Sequence, residues 1–165
     1  MTKALLIVDV QKGFACEYAS HLPKIVEDLQ KYFDHVIATR FVNPNPSPWR
    51  DIMDWCECDA GSDDIDLAFD LVPTAKLITR SSYAVPLPDI RAALPDDVRD
   101  IYICGADTHA CVLMSAVALF ESNQFKPFII ADACASHSGE ELHKAGLKSL
   151  EGLIGQQQII EIRDL

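Results

Sequence analysis

Ile101-Tyr-Ile-Cys104-Gly-Ala-Asp-Thr-His-Ala-Cys111-Val112 decides how this chain is organised. The apolar start, Ile101 to Cys104, reads as a buried strand, and Gly105 breaks it. Ala110, Val112, Leu113, Ala116, Val117 and Phe120 then recur at helical spacing. A strand that turns at once into a helix is the joint of a strand–helix–strand unit. The joint puts Cys111 in the first helical turn, where unpaired backbone N–H groups and the positive end of the helix dipole favour a thiolate. Thiolate is the nucleophilic form of cysteine. A small residue that only packs a helix start against a sheet has the same pattern, so position alone leaves both roles open.

The same alternation runs outward in both directions. Strand-like apolar runs occupy 4–10, 35–42, 76–79, 100–106, 127–133 and 158–162. Helical periodicity marks 22–33, 87–94, 110–121 and 139–154. Several strands are continuous apolar runs, as expected where helices cover both sheet faces. Strand–helix–strand repetition implies right-handed crossovers, so a three-layer α/β/α domain with a mostly parallel, Rossmann-like sheet is expected over 1–165. One segment departs from the rhythm. Residues 43–73 hold Pro44, Pro46 and Pro48, then Trp49 to Trp55, then an acidic run. The prolines forbid regular structure, Trp49 to Trp55 suits a short amphipathic helix, and an excursion of this length suits a lid, a pocket wall or an interface.

Composition excludes several classes. Lys plus Arg number 14 against 25 Asp plus Glu, a formal charge of −11, so phosphate backbones and anionic membranes are repelled and no nucleic-acid partner is expected. No apolar stretch approaches the ~20 residues of a membrane span. The opening strand carries Asp9 and lacks a cleavage signal, so a cytoplasmic protein with mostly reduced cysteines is expected. Cys104 and Cys134 read as core. Cys56 and Cys58 form the one close pair, with no second pair to complete a zinc site.

Ligands of doubly wound sheets sit beyond the carboxyl ends of the strands. Asp9, Arg80 and Cys111 fall at three such ends. A carboxylate, a cation and a thiol suit covalent catalysis: the thiolate attacks a carbonyl, the cation favours nearby negative charge, and the carboxylate moves protons. Asp9 as a turn cap and Arg80 as its structural ion-pair partner fit the residues equally well.

Two motifs carry a family resemblance. Val8-Asp9-Val10-Gln11-Lys-Gly-Phe14 resembles the Asp-x-Gln-x-x-Phe opening of the isochorismatase-like cysteine hydrolases. Ile103 to Val112 resembles their nucleophile motif, and Ala131 to Ser136 their closing strand. The resemblance covers nearly the whole chain. It implies a six-stranded parallel sheet flanked by helices, an Asp–Lys–Cys triad and hydrolysis of small amides or carbamoyl compounds. Asp9 takes the place of the general base, which later helps activate water, and Cys111 that of the nucleophile. The resemblance also implies a cis peptide at Ala106–Asp107 and an oxyanion hole built from the backbone amides of Asp107 and Cys111. Gln11, Phe14, Tyr83 and Thr108 are the expected substrate-pocket residues.

The departure lies in the triad's third position, where Leu77-Ile-Thr-Arg80-Ser-Ser-Tyr83 puts Arg80 in the lysine slot. Arginine keeps the charge but does not readily release a proton. The leading expectation is a hydrolase that passes through a thioester on Cys111. The alternative is an impaired relative that binds a small ligand or a partner without turnover. A thiol redox role is weaker, because no Cys-x-x-Cys turn is present. Nicotinamidases of the family hold zinc through histidines after the second strand. Here 39–46 contains none, so neither a metal nor another cofactor is expected. A small-molecule substrate and a homo-oligomer, dimer or tetramer, complete the expectations, the latter from the resemblance and from Trp49 and Trp55.

Overall fold

The computed structural model describes residues 2–165 and contains six strands: β1 (Lys3–Val8), β2 (His35–Phe41), β3 (Lys76–Arg80), β4 (Asp100–Ala106), β5 (Lys126–Ala135) and β6 (Ile159–Ile160). Every pairing is parallel and the order is β3-β2-β1-β4-β5-β6. The chain first winds outward through β2 and β3, then returns to the other side of β1. The order therefore reverses between β1 and β4, which is where a doubly wound sheet opens a crevice at its carboxyl edge.

Five helices flank the sheet: α1 (Leu22–Leu29), α2 (Pro48–Asp51), α3 (Leu87–Ala93), α4 (Leu113–Glu121) and α5 (Glu140–Ile154). Alternation along β1 separates two cores. Ala4, Leu6 and Val8 pack with Ile90 of α3, Ala116 and Leu119 of α4, and Leu150 and Ile154 of α5. Leu5 and Ile7 face the other way, onto Leu22, Val26 and Leu29 of α1 and Phe69 of the excursion. Both faces of the strand are covered, which is why its sequence is continuously apolar rather than alternating.

The expected elements are all present, with boundary differences that have local causes. Helical periodicity ran to residue 33, but α1 stops at Leu29 and Gln30–Tyr32 tightens into a 3₁₀ turn. Gln30 is buried there and spends its amide on the excursion, donating to the Asp70 carbonyl and accepting from the Val72 N–H. The Trp49–Trp55 segment is helical only in α2, because Asp54 adopts a left-handed φ of 53°. The last strand is two residues long, since Glu161 and Asp164 form a reciprocal cap that turns the tail into a 3₁₀ turn. Cys104 and Cys134 are core residues.

Gly105 fixes how close the two central strands come. It pairs with Val8, has φ +114°, and a Cβ built on it would lie 2.1 Å from the Val8 carbonyl oxygen. Only glycine tolerates both the conformation and the contact. Gly105→Ala is expected to destabilise the fold by at least about 3 kcal/mol, through backbone strain added to overpacking. Urea unfolding with a midpoint unchanged from wild type would contradict this.

Candidate active site

Asp9 follows β1 immediately, in a left-handed conformation (φ 47°) that aspartate tolerates better than most residues. It is fully buried, and its carboxylate is held from three sides. Thr39 of β2 donates to Oδ1 at 2.6 Å while its hydroxyl accepts the Asp9 backbone N–H at 3.1 Å. Arg80, the last residue of β3, donates from Nη2 to Oδ2 at 2.5 Å. The Cys111 thiol lies near enough for the charges of Asp9 and Arg80 to act on it in opposite directions. Arg80 thus reaches across β2 to a residue on β1, with Phe41 beneath its guanidinium at 5.9 Å. Its other terminal nitrogen, Nη1, donates to the Ser82 carbonyl. Both terminal nitrogens are so committed, while the buried Nε has no partner, and Arg80 anchors Asp9.

Cys111 lies in a turn of π-helix, Thr108–Val112, that precedes α4. The Asp107 carbonyl accepts the N–H groups of both Ala110 and Val112, at 3.0 and 3.1 Å. Gly146 of α5 packs against this turn so tightly that a Cβ would lie 2.8 Å from the His109 backbone. The expectation of a thiolate at a helix start is corrected here. Burial pushes the Cys111 thiol well above its ordinary pKa and the Asp9 charge pushes it further, with Arg80 only partly opposing them. Burial likewise raises Asp9, against the pull of Arg80 and its hydrogen bonds. Burial and the Asp9 charge thus favour the thiol and oppose the pull of the helix start.

Cys111 borders a cavity of about 230 Å³. Its walls are Phe14, Phe41, Trp49, Met53, Trp55 and Tyr83. Phe14 stacks on Trp55 with centroids 5.7 Å apart, Phe41 meets Trp49 edge-on at 4.9 Å, and Trp49 meets Tyr83 at 5.6 Å. The excursion therefore supplies a pocket wall. Of the residues singled out from sequence, Phe14, Tyr83, Asp107 and Cys111 border the cavity, while Asp9 borders a neighbouring one of about 220 Å³ together with Gln11 and Phe14. Neither Gln11 nor Thr108 borders the Cys111 cavity. Gln11 exchanges two hydrogen bonds with the Phe41 backbone, at 2.7 and 2.9 Å, and donates to the Ile65 carbonyl. Thr108 is buried with its hydroxyl 2.8 Å from His143 Nδ1.

Sequence reasoning missed three groups. Thr39 bridges Asp9, and the signal was a hydroxyl inside a continuous apolar strand. Asp107 was noted only for its backbone, yet its buried carboxylate accepts the His137 backbone N–H at 2.8 Å and the His137 ring Nδ1–H. His137 and His109 form a polar rim to the cavity. Nothing in local spacing connects 107 to 137. No group of three or more His, Cys, Asp or Glu side chains suited to a metal ion occurs among the described residues, and the end of β2 carries no histidine. The Ala106–Asp107 peptide is cis, where the resemblance implied it.

A doubly wound parallel sheet with a buried Asp–Arg–Cys cluster at its carboxyl edge defines a class of α/β proteins built around one cysteine. The chain belongs to the isochorismatase family, whose domain it matches over residues 3–161. An isochorismatase-like hydrolase from Alkaliphilus metalliredigens has the same fold, with TM-score 0.81 and 16% identity over 99% of this chain and 97% of that one. A cysteine hydrolase from Pseudomonas syringae pv. phaseolicola also reaches TM-score 0.81, at 16% identity, covering 98% of this chain and 89% of that one. Nicotinamidase/pyrazinamidase PncA from Bacillus subtilis gives TM-score 0.79 at 19% identity, covering 98% and 100%. By sequence, isochorismatase domain-containing protein 2 of Xenopus laevis is 32% identical over 65 residues, which is 38% of this chain and 31% of that protein. The matched stretch thus spans about a third of that curated relative.

Two predictions test the cluster. Asp9→Asn removes a charge that disfavours the thiolate, so iodoacetamide should alkylate Cys111 faster in the variant than in wild type at pH 7. A slower rate at Cys111, read by peptide mass spectrometry, would refute the assignment. Arg80→Met leaves a buried carboxylate unpaired, a loss of about 3–5 kcal/mol at neutral pH. Asp9 already has a raised folded-state pKa, and losing Arg80 raises it further. A group with that sign contributes stability below its unfolded pKa and loses it as pH rises through the folded value. The Arg80→Met deficit should therefore shrink in urea melts as pH falls from 7 towards 4, and a pH-independent deficit is the contrary result.

Proposed function

We propose that this protein is a cysteine hydrolase acting on a small amide or carbamoyl compound through a thioester on Cys111. One observation carries the proposal: Cys111 borders an aromatic-walled cavity, and the buried Asp9–Arg80 pair lies close enough to act on its thiol. As Sγ attacks the substrate carbonyl carbon, the thiol proton moves to Asp9. The backbone amides of Asp107 and Cys111 hold the oxyanion, where preorganised donors are worth most. When the tetrahedral intermediate collapses, the proton on Asp9 passes to the departing nitrogen, which leaves as ammonia or an amine. Water then cleaves the thioester.

In this scheme Arg80 delivers no proton. It holds Asp9 at the sulfur and offsets part of the cost of burying a carboxylate. Lysine could not hold Asp9 and the Ser82 carbonyl in the same two-pronged manner. The aromatic walls favour a flat or apolar substrate body. The nicotinamidase activity named for the Bacillus subtilis relative is not carried over, because that relative's identity is low and β2 here ends without histidine. A second possibility, ligand binding without turnover, is favoured by the arginine in the lysine slot. Exposed Ile52 and Met53 beside the cavity support self-association through the excursion.

The test is an amidase panel of carbamoyl compounds, nicotinamide and simple primary amides. Wild type should hydrolyse at least one of them, and Cys111→Ala should lose at least about a thousandfold in kcat/KM. Arg80→Lys should lose about tenfold or more. Turnover retained in Cys111→Ala refutes the thioester, and faster turnover in Arg80→Lys identifies the natural protein as an impaired enzyme.

A further inference from the structure

We infer that the Cys111 cavity selects a substrate whose body carries an alkylated ammonium group. This choice of ligand rests on the function proposed above, in which the cavity holds the substrate, and names the class of compound held there.

Five of the rings that line the cavity form a continuous chain, in the order Tyr83, Trp49, Phe41, Trp55, Phe14. Successive centroids lie 5.6, 4.9, 5.9 and 5.7 Å apart. The first three pairs are tilted by 69°, 73° and 44°, so the wall is a bent chain of rings and not one flat stack. The face of an aromatic ring is the negative end of its quadrupole, and it attracts a cation within about 6 Å of the centroid, Trp most strongly. Two of the five rings are Trp. The cation already near Phe41 is Arg80, whose charge Asp9 balances. No lysine or arginine among the described residues borders the cavity. Its charged pair is Asp107 with His137, which sums to zero when the imidazole is protonated and to one negative charge when it is not. Glu57 acts on the same imidazole. The segment that carries both Trp residues also holds Asp51, Asp54, Glu57 and Asp59 against Arg50, and Arg50 is paired with Asp59. A cation is therefore attracted to this mouth, while an anion finds no unpaired lysine or arginine on the cavity wall.

The kind of cation follows from the hydrogen bonds. A bare ammonium or a guanidinium carries several donors and needs acceptors to leave water. The acceptors of the lining already have partners. One Asp107 oxygen accepts the His137 backbone N–H at 2.8 Å and the other accepts the His137 ring Nδ1–H. Ser138 Oγ stands 3.4 Å from His137 Nε2, and His109 Nδ1 meets the Ser136 hydroxyl at 2.9 Å. The indole N–H groups of Trp49 and Trp55 only donate. An ammonium whose hydrogens are replaced by methyl groups asks for no acceptor, buries apolar surface against the rings and keeps its charge.

Glycine betaine amide and 3,3-dimethylbutanamide test the class, because they share one shape and differ in one atom, a positively charged nitrogen in place of a carbon. Titration calorimetry on Cys111→Ala, which keeps the aromatic wall, should give an affinity for the betaine amide about tenfold or more above that for the neutral amide. The ratio should survive about 1 M sodium chloride, where the screening length is about 3 Å. Trp49→Leu or Trp55→Leu in the same background should lower the ratio at least about threefold, in variants whose circular dichroism matches the parent. Equal affinities, no binding of either amide at millimolar concentration, or a ratio unchanged in both Trp variants overturns the cationic class. So does a ratio abolished by salt, because the discrimination would then belong to the exposed carboxylates. Binding to Cys111→Ala is read without any turnover. Selective binding there, with no turnover by wild type across the amide panel, would therefore refute the hydrolase reading and leave the cationic class standing.

Discussion

The ion pair between Asp9 and Arg80 is the constraint on which this molecule depends. Both side chains are removed from water, and neither charge would be tolerated there alone. The pair works because β1 ends at the level of Thr39 while β2 and β3 run two residues further, to Phe41 and Arg80. β1 presents the carboxylate, β2 inserts the Thr39 hydroxyl, and β3 ends in the guanidinium. The sheet therefore determines the geometry of the cluster, and the cluster ties the carboxyl edge of the sheet together. Arginine suits this arrangement for a geometric reason. Its planar fork spans β2 to reach Asp9 and still has a second prong for the Ser82 carbonyl.

The protonation state of Cys111 illustrates two competing effects and how their sizes decide the outcome. A helix start offers a thiolate about 0.3–1 kcal/mol, and up to about 2 kcal/mol in favourable buried geometry. Full burial shifts an acid upward by as much as 3–5 pKa units, each worth 1.36 kcal/mol. With Asp9 in contact and adding to burial, the thiol wins. If Cys111 is the nucleophile proposed above, a sulfur kept protonated until substrate arrives resists idle alkylation and oxidation, and it needs a base at hand. The chain meets that need with the same carboxylate that raises the thiol pKa.

Much of the architecture was legible in the sequence for one reason. Both faces of the sheet are buried, so β1, β2 and β4 are continuous apolar runs, and the polar residues that end them stand out. Asp9, Arg80 and Cys111 were visible as interruptions at strand ends, and the structure brings all three together. What stayed hidden were partnerships between residues distant in sequence. Gln11 follows a strand end as Asp9 does, but it is consumed in bridging β1 to the Phe41 backbone. Thr108 adjoins the nucleophile turn, but its hydroxyl points to His143. The Asp107–His137 pair joins the turns after β4 and β5, which share a register only because those strands are neighbours. No local periodicity encodes that.

The excursion shows how a constant sheet edge can carry a variable pocket. Residues 43–59 have little regular structure, yet buried amides fasten their path. Asn43 donates to the carbonyls of Trp55 and Glu57 at 3.0 and 3.2 Å and accepts from Ser47 Oγ at 2.6 Å. Arg50 braces the same loop against Asp59 and the Pro44 carbonyl. These bonds present Trp49, Met53 and Trp55 to Cys111 from a segment that contributes no charge to the catalytic cluster. Changes among those three side chains would alter what fits without disturbing Asp9 or Arg80. On the proposed function, substrate choice and bond-breaking chemistry are held by separate networks, one anchored on Asn43 and the other on the Asp9–Arg80 pair.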